Sequence, residues 1–236
     1  MTDADLFEAE AEALESARRV LASGTGELDH YRGALEVLVQ NYGQLMRQSR
    51  RLISRSDRTE RELNQLNSRL QQLSDELDYK ARHDNLTGAL NRGAVFDCAR
   101  QILEKSAMSL VVLDIDFFKR INDEFGHPTG DAVIRELVSR LRNVVDGMGL
   151  IGRVGGEEFS ILLPGMPLDE AVALAEKIRA AIAGERFCCL SARPVTSSFG
   201  VAWSAAQGNF EDAYARADEA LYRAKRGGRN HVEREQ

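Results

Sequence analysis

The chain has 236 residues, 43% hydrophobic and 29% charged, which describes a folded protein of one or two domains and excludes a disordered polymer. Its formal net charge of −6 argues against indiscriminate binding to nucleic acid. Three cysteines, Cys98, Cys188 and Cys189, form no CxxC pair and no even set; this disfavours structural zinc and a disulfide framework and points to reduced thiols in a cytoplasm. The stretch MTDADLFEAEAEALESARR is acidic and lacks the apolar centre of a secretory signal. No apolar run reaches the ~20 residues of a membrane span, so the expected setting is cytoplasmic, without membrane or nucleic acid as partner.

Asp3 to Ala22 is rich in Ala, Glu and Leu, and Phe7, Leu14 and Leu21 recur every seven residues, which predicts an amphipathic helix over residues 1–22. The glycines of SGTGE break it. A second pattern then places Leu28, Leu35, Tyr42, Ser49, Ser56, Leu63, Leu70 and Leu77 seven apart. Tyr31, Leu38, Leu45, Leu52, Thr59, Leu66, Leu73 and Lys80 fill the interleaved positions. This unbroken heptad seam predicts a coiled-coil stalk over residues 28–81, roughly 80 Å long, and therefore a homodimer or higher homo-oligomer. A helix packed on its own domain is the alternative, but a helix of this length has nowhere to bury the stripe. The seam is weakest in its middle, at Ser49, Ser56 and Thr59. The Phe7–Leu14–Leu21 stripe can dock on a regulatory protein partner or on the stalk itself, or the helix can be a satellite of the bundle.

From Arg82 the heptads stop. SLVVLDI, Ser109 to Ile115, reads as a central buried strand. Strands are also expected over residues 149–154, 158–163, 187–192 and 195–203, and helices over 131–145, 168–183 and 210–226, the last stopped by Gly227 and Gly228. Residues 82–236 are thus an α/β (α+β) domain with a central sheet flanked by helices.

Two acidic motifs stand out in it. Asp114 and Asp116 end the central strand and share a face, because side chains alternate along a strand. RVGGEEF, Arg153 to Phe159, looks like a hairpin tip, yet a plain turn gains nothing from adjacent glutamates that repel each other. Carboxylates gathered in this way are costly unless a cation sits among them. Oxygen donors with no histidine cluster select magnesium or manganese over zinc. Magnesium is commonly shared with substrate phosphates, so a phosphorylated ligand is expected close to Gly155 and Gly156, which present no Cβ.

RVGGEEF also matches the signature of the GGDEF-domain diguanylate cyclases, in the variant with glutamate at the third position. DNLTGALNR (84–92), DIDFFKRINDEFGHPTGD (114–131), SSFGVA (197–202) and DEALYRAKRGGRN (218–230) agree with that family in order. From Arg82 onward the chain resembles this family, and its architecture resembles the short class in which a helical stalk replaces a recognised sensor domain. The resemblance implies a fold like the polymerase palm and nucleotidyl cyclases, and condensation of two GTP into cyclic di-GMP with release of two pyrophosphates. It implies that Asp114, the backbone carbonyl of Ile115 and Glu157 bind magnesium, with Glu158 supporting the metal shell. Glu157 would also take the proton from the 3′-hydroxyl, and Lys119 would stabilise charge on the phosphates. Asn122 and Asp131 would read the guanine edge with His127 lining the pocket, and Lys225 and Arg229 would hold the terminal phosphates. Asp84 and Arg92 would form a structural link at the domain entrance. A non-catalytic module that binds GTP or cyclic di-GMP as receptor or scaffold is the alternative, although none of the signature residues such modules lose is missing here.

One departure stands against this background. Many family members carry an RxxD product-inhibition site ending five residues before the paired glycines; here that place is DGMG, Asp146 to Gly149. Without the guanidinium there is no bidentate donor for a phosphate. No feedback inhibition through this site is expected, and titration calorimetry with cyclic di-GMP checks it. Tight product binding abolished by altering residues 146–149 would contradict the expectation.

Overall fold

The computed structural model describes residues 7–23, 28–190 and 193–236. The chain divides into two compact units, Met1–Ser74 and Asp75–Gln236. The first holds helix α1 (Glu8–Ser23) and most of α2 (Leu28–Arg82). Residues 1–6, where the first helix was expected to begin, lie outside the described residues. Phe7, Ala11 and Leu14 share one cavity with Leu38, Tyr42 and Leu45, and Ala13, Ala17 and Val20 share another with Gly33, Ala34 and Val37. Helix α1 therefore runs back antiparallel along the start of α2.

Helix α2 follows the heptad register from Leu28 through Lys80 and ends two residues later. None of its residues is buried; Leu63, Leu70 and Leu77 are 54%, 64% and 67% exposed. Beyond the stretch that α1 covers, the apolar seam that makes this helix amphipathic is thus unspent within one chain. Among the described residues no helix is long and apolar enough to cross a membrane.

The second unit is a six-stranded sheet flanked by helices. Its elements are β1 (Leu90–Asn91), α3 (Arg92–Leu103), β2 (Met108–Ile115), α4 (Phe118–Phe125), α5 (His127–Val145), β3 (Leu150–Arg153), β4 (Glu158–Pro164), α6 (Leu168–Gly184), β5 (Ser197–Ser204), α7 (Phe210–Arg226) and β6 (Val232–Arg234). The strand order is β1-β3-β4-β2-β5-β6. Strand β2 lies inside the sheet, antiparallel to β4 on one side and β5 on the other, and all eight of its residues are buried. Alternation along it divides the core in two. Val111, Leu113 and Ile115 pack with α4, α5 and α6, whereas Met108, Leu110 and Val112 pack with α3 and α7. The next even position is Asp114, so the same alternation turns its carboxylate toward α7.

One expected strand is absent. Residues 187–190 form a turn, closed by the Leu190 N–H donating to the Phe187 carbonyl at 2.9 Å, and residues 191 and 192 lie outside the described residues. The apolar residues here are spaced by three, and Phe187 and Leu190 both enter the core from a tight bend. The loop's polar backbone is served by α5: Arg140 donates to the carbonyls of Ala181, Ile182, Glu185 and Arg186, and Glu136 accepts from the Cys188 N–H.

Helix α7 packs directly on backbone at Gly200 of β5, where an added Cβ would stand 2.0 Å from the Ala217 carbonyl oxygen and 2.4 Å from the Leu221 nitrogen. Backbone cannot swing aside as a side chain can. Gly200→Ala is expected to destabilise the domain by about 1–3 kcal/mol, the usual cost of overpacking. Gly184→Ala, which meets nothing within 4 Å, serves as the control. Equal urea midpoints for the two variants would contradict this packing.

Candidate active site

The site is built where β2 ends. Asp114 sits in register with Glu158 on β4 and Ser198 on β5. The Ile115 N–H donates to the Glu157 carbonyl at 3.3 Å, which holds the GGEE tip beside the strand end. The expected adjacency of Asp114, Ile115, Glu157 and Glu158 is therefore present. Beyond β3 the tip is closed by the Val154 N–H bonding the Glu158 carbonyl at 2.9 Å, and by Arg153 donating to the Gly156 carbonyl. A Cβ on Gly155 would come within 2.5 Å of the Glu158 carboxylate, whereas one on Gly156 would meet nothing. Gly155 thus makes room for Glu158, and Gly156 leaves the tip open.

Two aspartates on one face have different surroundings. Asp116 accepts from the Thr196 and Ser198 hydroxyls at 2.7 Å each and from the Asn230 N–H at 2.9 Å. Its charge is satisfied by fixed donors, and it ties the segment after α7 to the end of β2. Asp114 is 6% exposed and among the described residues is paired with Lys225 of α7 alone, with Nζ 2.8 Å from Oδ2. Burial pushes the Asp114 carboxyl up from its ordinary value; Lys225 opposes this, and Glu158 and Asp116 add to it. Burial likewise raises Glu157, with Asp114 next in effect and Glu158 adding to it, while Lys225 opposes. Both groups are held where their charged forms are disfavoured.

Arg229 follows α7 in the left-handed region, φ +64°, next to Gly228 at φ +117°. Its guanidinium lies 4.3 Å from the centre of the Phe117 ring, and Arg120 approaches the same ring at 5.6 Å. Phe117 is itself left-handed, φ +58°, where a bulky residue is rare. That bend starts α4, which carries Lys119, exposed, in its first turn and Asn122 further on. The α4–α5 corner turns on Gly126, φ +81°, with Pro128 in the first turn of α5. Asn122, His127 and Asp131 all lie on this corner. A Cβ on Gly130 would be 2.0 Å from Asn122 Oδ1, so Gly130 allows the amide to lie against α5.

The entrance link differs from expectation. Asp84 pairs with Arg153, with Nη1 3.2 Å from both carboxylate oxygens, and its partner is not Arg92, whose guanidinium lies 5.5 Å from the centre of the Phe96 ring. Arg153 immediately precedes the tip, so Asp84 braces the hairpin from behind. Burial alone would raise Asp84, but hydrogen bonds from Thr87 and the Arg153 guanidinium together outweigh it and hold the carboxyl below its usual range.

Among the described residues no three His, Cys, Asp or Glu side chains converge to hold a metal ion by themselves. The donors at hand, two partly desolvated carboxylates and a main-chain carbonyl, are hard oxygens beside a lysine already neutralising one of them. That set fits magnesium completed by substrate phosphates better than a closed protein cage. Sequence reasoning passed over Gly130, Phe117, Thr196 and Ser198. Gly130 stands four residues after Gly126 in GHPTGD, a spacing that signals close helix approach. Nothing local marks Thr196 and Ser198 as partners of Asp116.

A family profile described as "Diguanylate cyclase, GGDEF domain" matches residues 81–231, and the chain belongs to the GGDEF-domain diguanylate cyclase family. It is similar to diguanylate cyclase DgcP of Pseudomonas aeruginosa, 42% identical over 161 residues; the match covers 65% of this chain and 24% of that protein, so the chain spans about a quarter of that relative's length. Among solved structures it is similar to the coiled coil and GGDEF domain of DgcB from Caulobacter crescentus in complex with c-di-GMP. The TM-score is 0.68 at 32% identity, covering 78% of this chain and 98% of that one. It is also similar to diguanylate cyclase SiaD in complex with its activator SiaC from Pseudomonas aeruginosa, with TM-score 0.62 at 29% identity, covering 98% of this chain and 88% of that one.

A carboxyl raised above its unfolded value lowers stability while it is ionised, and the loss is relieved as pH falls through the raised value. In metal-free buffer at neutral pH, Glu157→Gln is therefore expected to melt above the unaltered protein, and the two to converge in acid below the ordinary carboxylate range. A glutamine variant that melts lower at neutral pH would contradict the electrostatics assigned to the tip.

Proposed function

We propose that this protein is an active diguanylate cyclase that condenses two GTP into cyclic di-GMP and two pyrophosphates, with magnesium or manganese as cofactor, in the cytoplasm. The observation that carries the reading is the meeting of Asp114, Glu157 and Lys225 at the end of β2, with both carboxyls raised by burial. Such a place costs stability and is compensated when a cation and a polyphosphate arrive together.

Asp114, the carbonyl of Ile115 and Glu157 would hold the metal, with Glu158 in support. When bound, magnesium lowers the pKa of the attacking 3′-hydroxyl and offsets charge growing at the α-phosphate. Glu157, already less willing to be charged than a free glutamate, is suited to accept the hydroxyl proton. Lys225 is the movable charge: it neutralises Asp114 here and would turn to the terminal phosphates beside Arg229, whose guanidinium is steadied on Phe117. Lys119, exposed at the start of α4, would stabilise phosphate charge in the transition state. At the α4–α5 corner, Asn122 and Asp131 would read the guanine edge and His127 would line the pocket. Gly156, open at the tip, leaves space for the nucleotide, and Gly155 seats Glu158 beneath it.

Residues 1–22 would form the N-terminal amphipathic helix, 28–81 the dimerising coiled-coil stalk and 82–236 the cyclase domain. A two-fold product from domains that each hold one GTP requires two domains face to face, and a misplacement of an ångström is costly in such a step. The exposed heptad seam supports a homodimer or higher assembly that supplies the second domain at high local concentration. The similar protein SiaD was solved in complex with its activator SiaC, which supports a regulatory protein partner for this chain; the N-terminal helices are where such a partner would dock.

Incubation with GTP and magnesium should yield cyclic di-GMP by chromatography. Glu157→Ala should lower the rate by roughly 10²–10⁴-fold without loss of fold, the usual contribution of a positioned base. GTP binding without any product from the unaltered protein would contradict the catalytic reading and favour a receptor module.

A further inference from the structure

The middle of α2 carries a feature that catalysis does not use. Arg47, Arg50, Arg51, Arg55, Arg58 and Arg61 fall within 15 residues of a chain whose net charge is −6. At 3.6 residues per turn all six lie in one sector of about 140°, on the side of the helix away from Leu45, Leu52, Ser56, Thr59 and Leu63 of the heptad seam. All are exposed, and Arg50, Arg51, Ser54, Arg55 and Arg58 line one shallow concavity. Arg58 pairs with Glu62 at 3.0 Å; among the described residues the other five make no ion pair. Asp57 stands at the edge of the row and Glu60 on the far side.

This row works against the helix that carries it. Like charges three and four residues apart repel, and the row coincides with the polar stretch of the seam at Ser49, Ser56 and Thr59. The stalk is therefore weak here on both faces, and an anionic partner would relieve one of them. The row rises about 21 Å along the axis.

The residue types narrow the partner. Every cation is Arg and none is Lys; the guanidinium fork pairs bidentately with carboxylates, and Arg is enriched and Lys depleted at protein interfaces. No aromatic residue lies between Tyr42 and Tyr79, so nothing can stack on bases. The sector holds no apolar side chain to enter a bilayer.

We propose that the arginine row of α2 is the docking surface for an acidic protein segment that presents carboxylates at helical spacing, and that docking stiffens the weakest span of the stalk. This rests on the regulatory reading of the N-terminal helices, but not on turnover.

The test uses the full-length protein without nucleotide. The probe is a synthetic helical peptide with glutamates repeating three and four residues apart, set against its glutamine counterpart, a short DNA duplex and phosphatidylglycerol vesicles. The glutamate peptide should bind, weaken as salt rises, and raise the helix melting temperature followed by circular dichroism. Combined Arg51→Glu, Arg55→Glu and Arg58→Glu should weaken it at least about tenfold. The same three positions changed to Lys keep the charge and should weaken it less, which serves if the reversed variant loses helix. No glutamate-peptide binding, equal binding by the reversed variant, or tighter arginine-dependent binding of duplex or vesicles each overturns the proposal. Because no GTP is present, these outcomes stay separate from failure of the cyclase reading.

Discussion

Negative charge gathered at one strand end is the constraint around which the domain is arranged. Asp114, Asp116, Glu157 and Glu158 are brought together by the antiparallel pairing of β2 with β4 and by the bend of the GGEE tip. Such a group repels itself, and burial raises the cost. Each surrounding element supplies something that offsets it. Helix α7 brings Lys225 to Asp114, the turn after α7 brings the Asn230 N–H to Asp116, and β5 with the residue before it brings two hydroxyls. Arg153, braced by Asp84, steadies the tip from the other side.

The two aspartates of β2 show how one motif divides its labour. Asp116 is saturated by fixed donors and is a structural anchor between the sheet and the chain's last segment. Asp114 is left with one cation on a side chain that can move. A locked carboxylate beside an exchangeable one is the arrangement that the proposed binding of metal and nucleotide would use. Asp114 and Glu157 are both held where ionisation is disfavoured, a cost of the kind met at functional sites.

Much of this was legible in the sequence where a repeating pattern or a local signal specifies it. The heptads from Leu28 to Lys80 define α2, and helix α7 spans its expected residues because Asn209 caps its start and paired glycines follow its end. Strand β2 was visible as a continuous apolar run, and its alternation placed Asp114 and Asp116 on one face. What was missed depends on partners far along the chain. Strands β1 and β6 have two and three residues and exist through parallel pairing with β3 and β5. Phe187 to Leu190 is apolar enough to suggest a strand, yet Arg140 and Glu136 hold it as a turn. Asp84 found Arg153 instead of Arg92 because the fold, and no local rule, brings the hairpin beside the entrance loop.

The stalk and the catalytic domain face the same physical problem in different forms. A helix with an exposed seam and a row of like charges is incomplete alone, as is a cluster of carboxylates with too few partners; in the proposed reading each would be completed by a second molecule. The most direct measurement is a structure of the full-length protein crystallised with magnesium and a non-hydrolysable GTP analogue. The account predicts a metal bound by Asp114, the Ile115 carbonyl and Glu157, with Lys225 moved from Asp114 onto the terminal phosphates. A nucleotide bound elsewhere, with Lys225 still on Asp114 and no metal between the carboxylates, would contradict it.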